Sequence, residues 1–180
     1  MTSLVDPHPD SPIERTAVLS IGSNLGDRES ILREAVVAIA AIDGVEVIAA
    51  STIIETAAVK LHGVDATAPS YLNAAVTLRT RLDAHALLSA LQRIELDQGR
   101  VRHERWGDRT LDVDIVTIGS EVIDEPGLTV PHPRAAERVF VLAPWLELDS
   151  DATLPGHGPV SELLAQLHEP YRQYPAEPLL

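Results

Sequence analysis

The chain contains no cysteine, which removes disulfide cross-links, thiolate nucleophiles and cysteine-ligated zinc from consideration. Aromatic residues are only 3% of its 180 residues, with a single phenylalanine, so a core must be built mostly from Ala, Val, Leu and Ile. Basic residues are scarce: 14 Lys and Arg against 27 Asp and Glu give a net charge of -13 and a pI near 4.8. A chain of that sign is repelled by nucleic-acid phosphates and by anionic membranes, so neither is expected as a partner. No apolar run approaches the roughly 20 residues needed to span a bilayer, and MTSLVDPHPDSPIER lacks the basic flank and apolar stretch of a secretory signal. With no long exposed apolar stripe to cover, the expectation is a monomer in the cytoplasm acting on small ligands.

Residues 1–14 carry three prolines and no periodicity, which predicts a disordered leader ahead of one domain over 15–180. TAVLSI predicts a buried strand, and GSNLGD a tight turn into a helix capped by Asp27. Ile31, Ala35 and Ile39, beside Leu32 and Val36, form one apolar stripe ending before Gly44. VEVIAASTIIET and YLNAAVTLRT predict strands, the second placing Leu72, Ala74, Val76 and Leu78 on one face, with KLHGVDATAPS between them as a lid-length loop. Asp83 caps a second helix carrying Leu87, Leu91 and Ile94, with Gly99 past its end. LDVDIVTIG is a strand, EVI and LTV are short strands, and PHPRAAERVFVLAPWLEL ends in an apolar helix. A weak helix, SELLAQLH, lies in the tail from about Asp149. Strand, helix, strand, strand, helix, strand predicts an α+β fold, a mixed or antiparallel sheet with packed helices in the ferredoxin-like arrangement.

Asp112 and Asp114 are one residue apart on a strand, so both carboxylates emerge on one face while Leu111, Val113 and Ile115 point the other way into the core. Two like charges that close repel, and a hard cation with oxygen ligands removes the conflict. A solvated edge-strand face has the same spacing. The surrounding residues shift the balance toward a cation site: Arg100, Arg102, Arg105 and Arg109 crowd the segment just before the pair, although the chain has only 14 basic residues. Guanidinium forks beside paired carboxylates suit a polyphosphate bridged by metal, although ion pairs with Glu95, Asp97, Glu104 and Asp108 would use the same arginines.

Trp106 sits among these polar residues next to Gly107, where its flat ring can stack on a heteroaromatic ligand or pin the loop. Phe140 follows Arg138 and also reads as a helix core residue. Gln92 and Glu95 can face the mouth of the arginine segment from the second helix, and His132 lies near Arg134 in a proline-restricted turn. Tyr71 and Asn73 share a strand face, where the amide of Asn73 can read a lactam-like edge. GSNLGD is neither GxxxxGK[ST] nor GxGxxG, and no serine sits in a nucleophile elbow. These residues alone are also compatible with a metal-dependent nucleotidyltransferase or phosphohydrolase, or with a nucleotide-binding module without turnover.

The ordered motifs GSNLGD, YLNAAV, QRIELDQGRVR, ERWGDRTLDVDI, LTVPHPR and ERVF closely resemble the 6-hydroxymethyl-7,8-dihydropterin pyrophosphokinase family of folate synthesis, over roughly residues 15 to 167. The resemblance implies a ferredoxin-like fold and transfer of the β,γ-diphosphate of ATP to the pterin hydroxymethyl oxygen. It implies two magnesium ions at Asp112 and Asp114, and a pterin pocket of Gly22, Thr56, Ala57, Val59, Tyr71, Asn73, Trp106 and Phe140, the ring lying between the two aromatics. Nucleotide contacts carry over to Gln92, Glu95, Arg102, Arg109, Ile115, Thr129, His132 and Arg138, and catalytic arginines to Arg100 and Arg109.

The chain also departs from the pattern. TAAVK stands where the family often has Thr-Pro-Pro-Leu-Gly, and Asp108 replaces a usual proline. The arginine loop is one residue shorter than in some relatives. Gly127 and Pro133 replace an arginine and a tyrosine of some members.

Overall fold

A computed structural model describes residues 13–57, 59–60, 63–64, 69–99 and 110–180, with only the backbone of 59, 60, 63 and 64. The leader expected over 1–14 therefore lies almost wholly outside the described residues, as do much of the lid-length loop and the arginine segment 100–109. The elements in order are β1 (Arg15–Ser23), α1 (Arg28–Ala40), β2 (Val45–Ala50), β3 (Ile54–Thr56), β4 (Val59–Lys60), β5 (Gly63–Val64), β6 (Tyr71–Thr80) and α2 (Ala84–Asp97). They continue with β7 (Asp112–Ile118), β8 (Ile123–Glu125), β9 (Leu128–Val130), a 3₁₀ turn (Ala135–Glu137), α3 (Val139–Leu148), β10 (Thr153–Leu154), β11 (Gly158–Pro159), α4 (Val160–Gln166) and β12 (Tyr171–Gln173).

The main sheet has six strands in the order β12, β3, β6, β1, β7, with β2 also on β6, and every pairing in it is antiparallel. This is an α+β architecture in which the sheet carries helices on both faces. Strand alternation divides the apolar residues accordingly. Ala17, Leu19, Ile21, Leu72, Ala74, Val76 and Leu78 pack with the stripes of α1 and α2 in one core, whereas Val18, Ala75 and Val116 meet Val141, Leu142 and Trp145 of α3 in a second. Both N-caps expected from sequence form: Asp27 accepts from the Ser30 amide and Asp83 from the Ala86 amide.

Two features differ from the sequence reading. VEVIAASTIIET is interrupted rather than one strand: β2 covers the Val76–Thr80 part of β6 and β3 the Tyr71–Asn73 part. At the break the buried Ser51 uses its hydroxyl as well as its backbone, its Oγ accepting from the Ala75 amide at 2.9 Å, a side-chain substitute for a ladder bond. The tail also contributes a strand. β12 pairs with β3, the Tyr174 amide donates to the Ile53 carbonyl, and Arg33 of α1 donates to the carbonyls of Glu177 and Pro178, drawing Leu179 into the first core.

Glu55 secures this seam. Nearly buried on β3, it accepts from Ser70 Oγ, from Arg28 Nη1 at 3.3 Å and from Arg172 Nε at 2.8 Å. Arg172 is 78% exposed, so solvent screens its share, and the half-buried Arg28 and Ser70 hold the carboxylate more firmly. The Ser70 hydrogen bond, opposed by burial and helped by the two arginines, lowers the Glu55 pKa from its ordinary 4.5. A lowered folded-state pKa means that this stabilisation is present above about pH 4.5 and is lost as the pH falls through the folded value. Glu55→Gln should cost about 1–2 kcal/mol at neutral pH, a melting-temperature drop of several degrees at roughly 2–4 °C per kcal/mol. The gap from wild type should close in acid, and thermal melts showing a gap independent of pH would contradict this role.

Candidate active site

β7 supplies the charged end of the site. Asp112 and Asp114 face the α3 side, while Leu111, Val113 and Ile115 are buried in the first core. Across the sheet Asp112 lies opposite Gly22 and Asp114 opposite Ser20, so beside the carboxylates β1 presents no side chain and one small hydroxyl. The strand is gripped from its other edge by Glu95 of α2, only 3% exposed, whose Oε1 accepts the Val113 amide at 2.9 Å, between the two aspartates. Fixing that amide fixes the pleat, and with it the direction of both carboxylates.

Cationic and polar groups close on Asp114 from the segment after β9. Arg138 Nη1 lies 3.3 Å from Asp114 Oδ2, and His132 Nε2 lies 3.7 Å from the same oxygen. His132 Nδ1 accepts the Arg134 amide at 3.1 Å, so in the neutral ring the proton is on Nε2, facing Asp114. Burial pushes the His132 pKa down, with Asp114 pulling it up and Arg138 adding to the drop, which favours that neutral ring. The Arg138 guanidinium also sits 5.3 Å from the centroid of the Phe140 ring, a cation–π contact that ties the charged end to an aromatic wall.

From the aspartates a cavity of about 220 Å³ runs across the sheet, lined by Ser20 and Gly22, Tyr71 and Asn73, then Thr56 and Ala57, and roofed by Arg134, Glu137, Arg138, Phe140 and Glu169. That is below the roughly 300–1,000 Å³ of pockets for drug-sized ligands, and suits a ring system better than a whole nucleotide. Asn73 Nδ2 donates to Thr56 Oγ1 at 3.0 Å, which orients the amide, and a Cβ at Gly22 would come within 2.8 Å of Asn73 Oδ1. Any larger residue at position 22 would therefore push the amide out of the position it holds.

Of the residues predicted from sequence, Gly22, Thr56, Ala57, Tyr71, Asn73, Phe140, Asp112, Asp114 and Arg138 meet around this cavity. His132 joins through Asp114. Glu95 and Ile115 have their side chains buried away from it, and Gln92 and Thr129 do not line it. Of Val59 only the backbone is described, and Arg100, Arg102, Arg105, Trp106 and Arg109 lie outside the described residues. Sequence reasoning missed Ser20, Glu137 and Glu169 and gave Arg134 no role of its own; for Ser20 the alternation of β1 beside Gly22 was the available signal.

The donor set fits a hard divalent cation: two carboxylates on one pleat face, beside a β1 that presents only Gly22 and the small hydroxyl of Ser20 opposite them. Among the described residues no set of three or more His, Asp or Glu is placed to enclose an ion, and a pair of carboxylates is the protein's usual share of a magnesium site. Among the same residues no helix is long and apolar enough to cross a membrane.

Known proteins match this sequence and fold. Residues 18–150 match the family model for 7,8-dihydro-6-hydroxymethylpterin-pyrophosphokinase (HPPK). The chain is 38% identical over 151 residues to the 2-amino-4-hydroxy-6-hydroxymethyldihydropteridine pyrophosphokinase of Haemophilus influenzae, covering 84% of this chain and 92% of that protein. Its counterpart in Mycobacterium leprae is 44% identical over 170 residues, covering 87% and 85%. Among solved structures, an HPPK-DHPS in complex with substrates superposes with a TM-score of 0.64 at 12% identity, and a Plasmodium falciparum HPPK-DHPS with 0.66 at 12%. At that identity the likeness carries the fold alone, and the chain spans only 43% and 46% of those longer proteins while 85% and 88% of it is matched. The family match across most of the chain, and relatives matched over nearly their whole length, establish that this chain belongs to the 7,8-dihydro-6-hydroxymethylpterin-pyrophosphokinase family.

Proposed function

We propose that this chain transfers the β,γ-diphosphate of ATP to the hydroxymethyl oxygen of 6-hydroxymethyl-7,8-dihydropterin, releasing AMP, a step of folate biosynthesis. The observation that carries the reading is the union, in one cavity, of a ring-sized compartment at Tyr71, Asn73, Thr56 and Phe140 with the paired carboxylates of Asp112 and Asp114. Family membership supplies the substrate class. The order β1, α1, β2 with β3, β6, α2, β7, and the pairing of β1 with both β6 and β7, support classing the sheet as ferredoxin-like. The pairing of β12 with β3 supports treating 15–180 as one unit, and we take it to act as a monomer in the cytoplasm, where ATP is available.

In this reading Asp112 and Asp114 hold two magnesium ions, which when bound neutralise phosphate charge and align the triphosphate. The pterin lies against Phe140 and, from the opposite side, Trp106, with Asn73 reading its lactam edge and Thr56, Ala57 and Val59 bordering it. Gln92, Glu95, Arg102, Ile115, Thr129, His132 and Arg138 make up the nucleotide side. Ile115 acts there through its backbone: the amide of Val113 points to the outer edge of β7, and the next residue of the same orientation is Ile115. Glu95 acts through β7, which it holds. The hydroxyl oxygen attacks the β-phosphorus in line, the bridge between the α- and β-phosphorus breaks, AMP departs, and the hydroxyl proton is lost to the medium. Arg100 and Arg109 stabilise the charge on the transferring group, so catalysis is positioning plus preorganised charge.

Asp112→Asn and Asp114→Asn should each lower magnesium-dependent AMP formation by about a thousandfold, about 4 kcal/mol in barrier, with the cooperative fold retained, although Asp114→Asn, which weakens the contact with Arg138, should also melt at a somewhat lower temperature. AMP formation near the wild-type rate in either variant would overturn the assignment. Trp106→Ala should raise the KM for pterin by about tenfold to a hundredfold, the worth of one stacked ring, and leave that for ATP nearly unchanged; the opposite ordering would contradict the stacking role. Gly22→Ala, by displacing Asn73, should also act on pterin KM first, and equal effects on both substrates would count against the division of the cavity.

A further inference from the structure

Glu169 belongs to no part of the mechanism above, yet it enters the cavity. It stands in the stretch between α4 and β12, and the chain on both sides is fixed: α4 packs on α3, and β12 continues from Tyr171, opposite Thr56, into the segment tied down by Arg33 and Leu179. It immediately precedes Pro170 and the start of β12, whose first residue, Tyr171, lies opposite Thr56, itself a residue of the cavity wall. Its Oε1 is closed off from solvent, and among the described residues no donor reaches it. Burial alone raises its pKa. A carboxylate oxygen closed off from water with no donor is unfavourable even where the rest of the side chain is only partly buried, and such atoms in native structures call for an explanation.

The strand order argues against a metal role. β12 lies four strands from β7 across the sheet, on the order of 15–20 Å at about 4.8 Å per strand. Two oxygens on one magnesium ion are separated by at most about 4 Å. Glu169 therefore serves the end of the cavity remote from the phosphates. There the reading above places the pterin ring, whose exocyclic amino group is a paired N–H donor.

We infer that Glu169 is a specificity-determining residue, whose carboxylate accepts a hydrogen bond from the exocyclic 2-amino group of the pterin. Rotation about its terminal bond turns either oxygen to the cavity, and the incoming N–H supplies the missing donor. Asn73 would then read the lactam edge, its oxygen accepting from N3–H and its remaining N–H donating to the 4-oxo oxygen, and Glu169 would accept from the amino group beside it, a pattern that selects a 2-amino-4-oxo ring. This inference rests on the pterin reading.

The test is direct binding of 6-hydroxymethylpterin and of its 2-oxo (lumazine) analogue, with ATP affinity measured in parallel, to wild type, Glu169→Gln and Glu169→Ala. Wild type should prefer the amino compound at least tenfold. Glu169→Ala should lose most of that preference. Glu169→Gln, whose amide can accept from the 2-amino group or donate to the 2-oxo group, should narrow it to near unity, and neither variant should alter ATP affinity or lower the melting temperature. A residue with a purely structural role would lower the melting temperature and leave the preference intact, which would overturn the inference. Wild-type discrimination retained in both variants overturns it as well, while leaving the proposed activity standing. Wild type that binds neither compound overturns both.

Discussion

The antiparallel pairing of β1 with β6 on one side and β7 on the other sends alternate side chains of three neighbouring strands to opposite faces. Leu19, Ile21, Leu72, Ala74, Val113 and Ile115 take the face of α1 and α2, and Ser20, Gly22, Asn73, Asp112 and Asp114 take the other. A slip of one residue in β7 would carry both aspartates into the apolar core, where an ionised carboxylate costs several kcal/mol, and would expose the residues that now fill it. Core and site thus specify each other, and the Glu95 carboxylate on the Val113 amide pins the strand on which both depend.

The cavity is graded along the sheet. At β7 it is ionic, with Asp114 touching Arg138 and facing His132; toward β6 and β3 it becomes amide, hydroxyl and aromatic. Such a gradient suits a substrate pair in which one member is a polyanion and the other a flat, neutral ring with polar edges. It also answers a difficulty raised by composition. A chain of net charge -13 repels ATP at long range, so attraction must be local, and Arg134 and Arg138 are brought to the site by the turn and helix start after β9.

Much of this was legible in the sequence because it depends on local periodicity. The four-residue spacing of Ile31, Ala35 and Ile39, the caps Asp27 and Asp83, and the alternation on β6 each reflect a single element, and each appears as expected. The α+β class with an antiparallel sheet follows from their order. Features made by contacts distant in sequence were not legible. β12 is exposed at every position and is held by backbone pairing and the Glu55–Arg172 contact, so it has no hydropathy pattern to read. Glu95 looks from sequence like a helix-surface residue, and only the packing of α2 beside β7 shows its carboxylate buried on an amide. Glu169 has no local signature at all, since its place in the cavity comes from the tail crossing back to the sheet edge. At Asp112 and Asp114 the spacing gave the shared face, but the glycine opposite and the arginine beyond came from strand register and the chain after β9.

The central claim is that two phosphoryl groups move together from ATP to the pterin alcohol. Phosphorus NMR of a single reaction containing the protein, magnesium, ATP and 6-hydroxymethyl-7,8-dihydropterin distinguishes the bond that breaks. The account predicts AMP and a pterin diphosphate appearing in equal amounts, and neither forming when the pterin is withheld. ADP with a pterin monophosphate, or inorganic diphosphate with an adenylylated pterin, would contradict it.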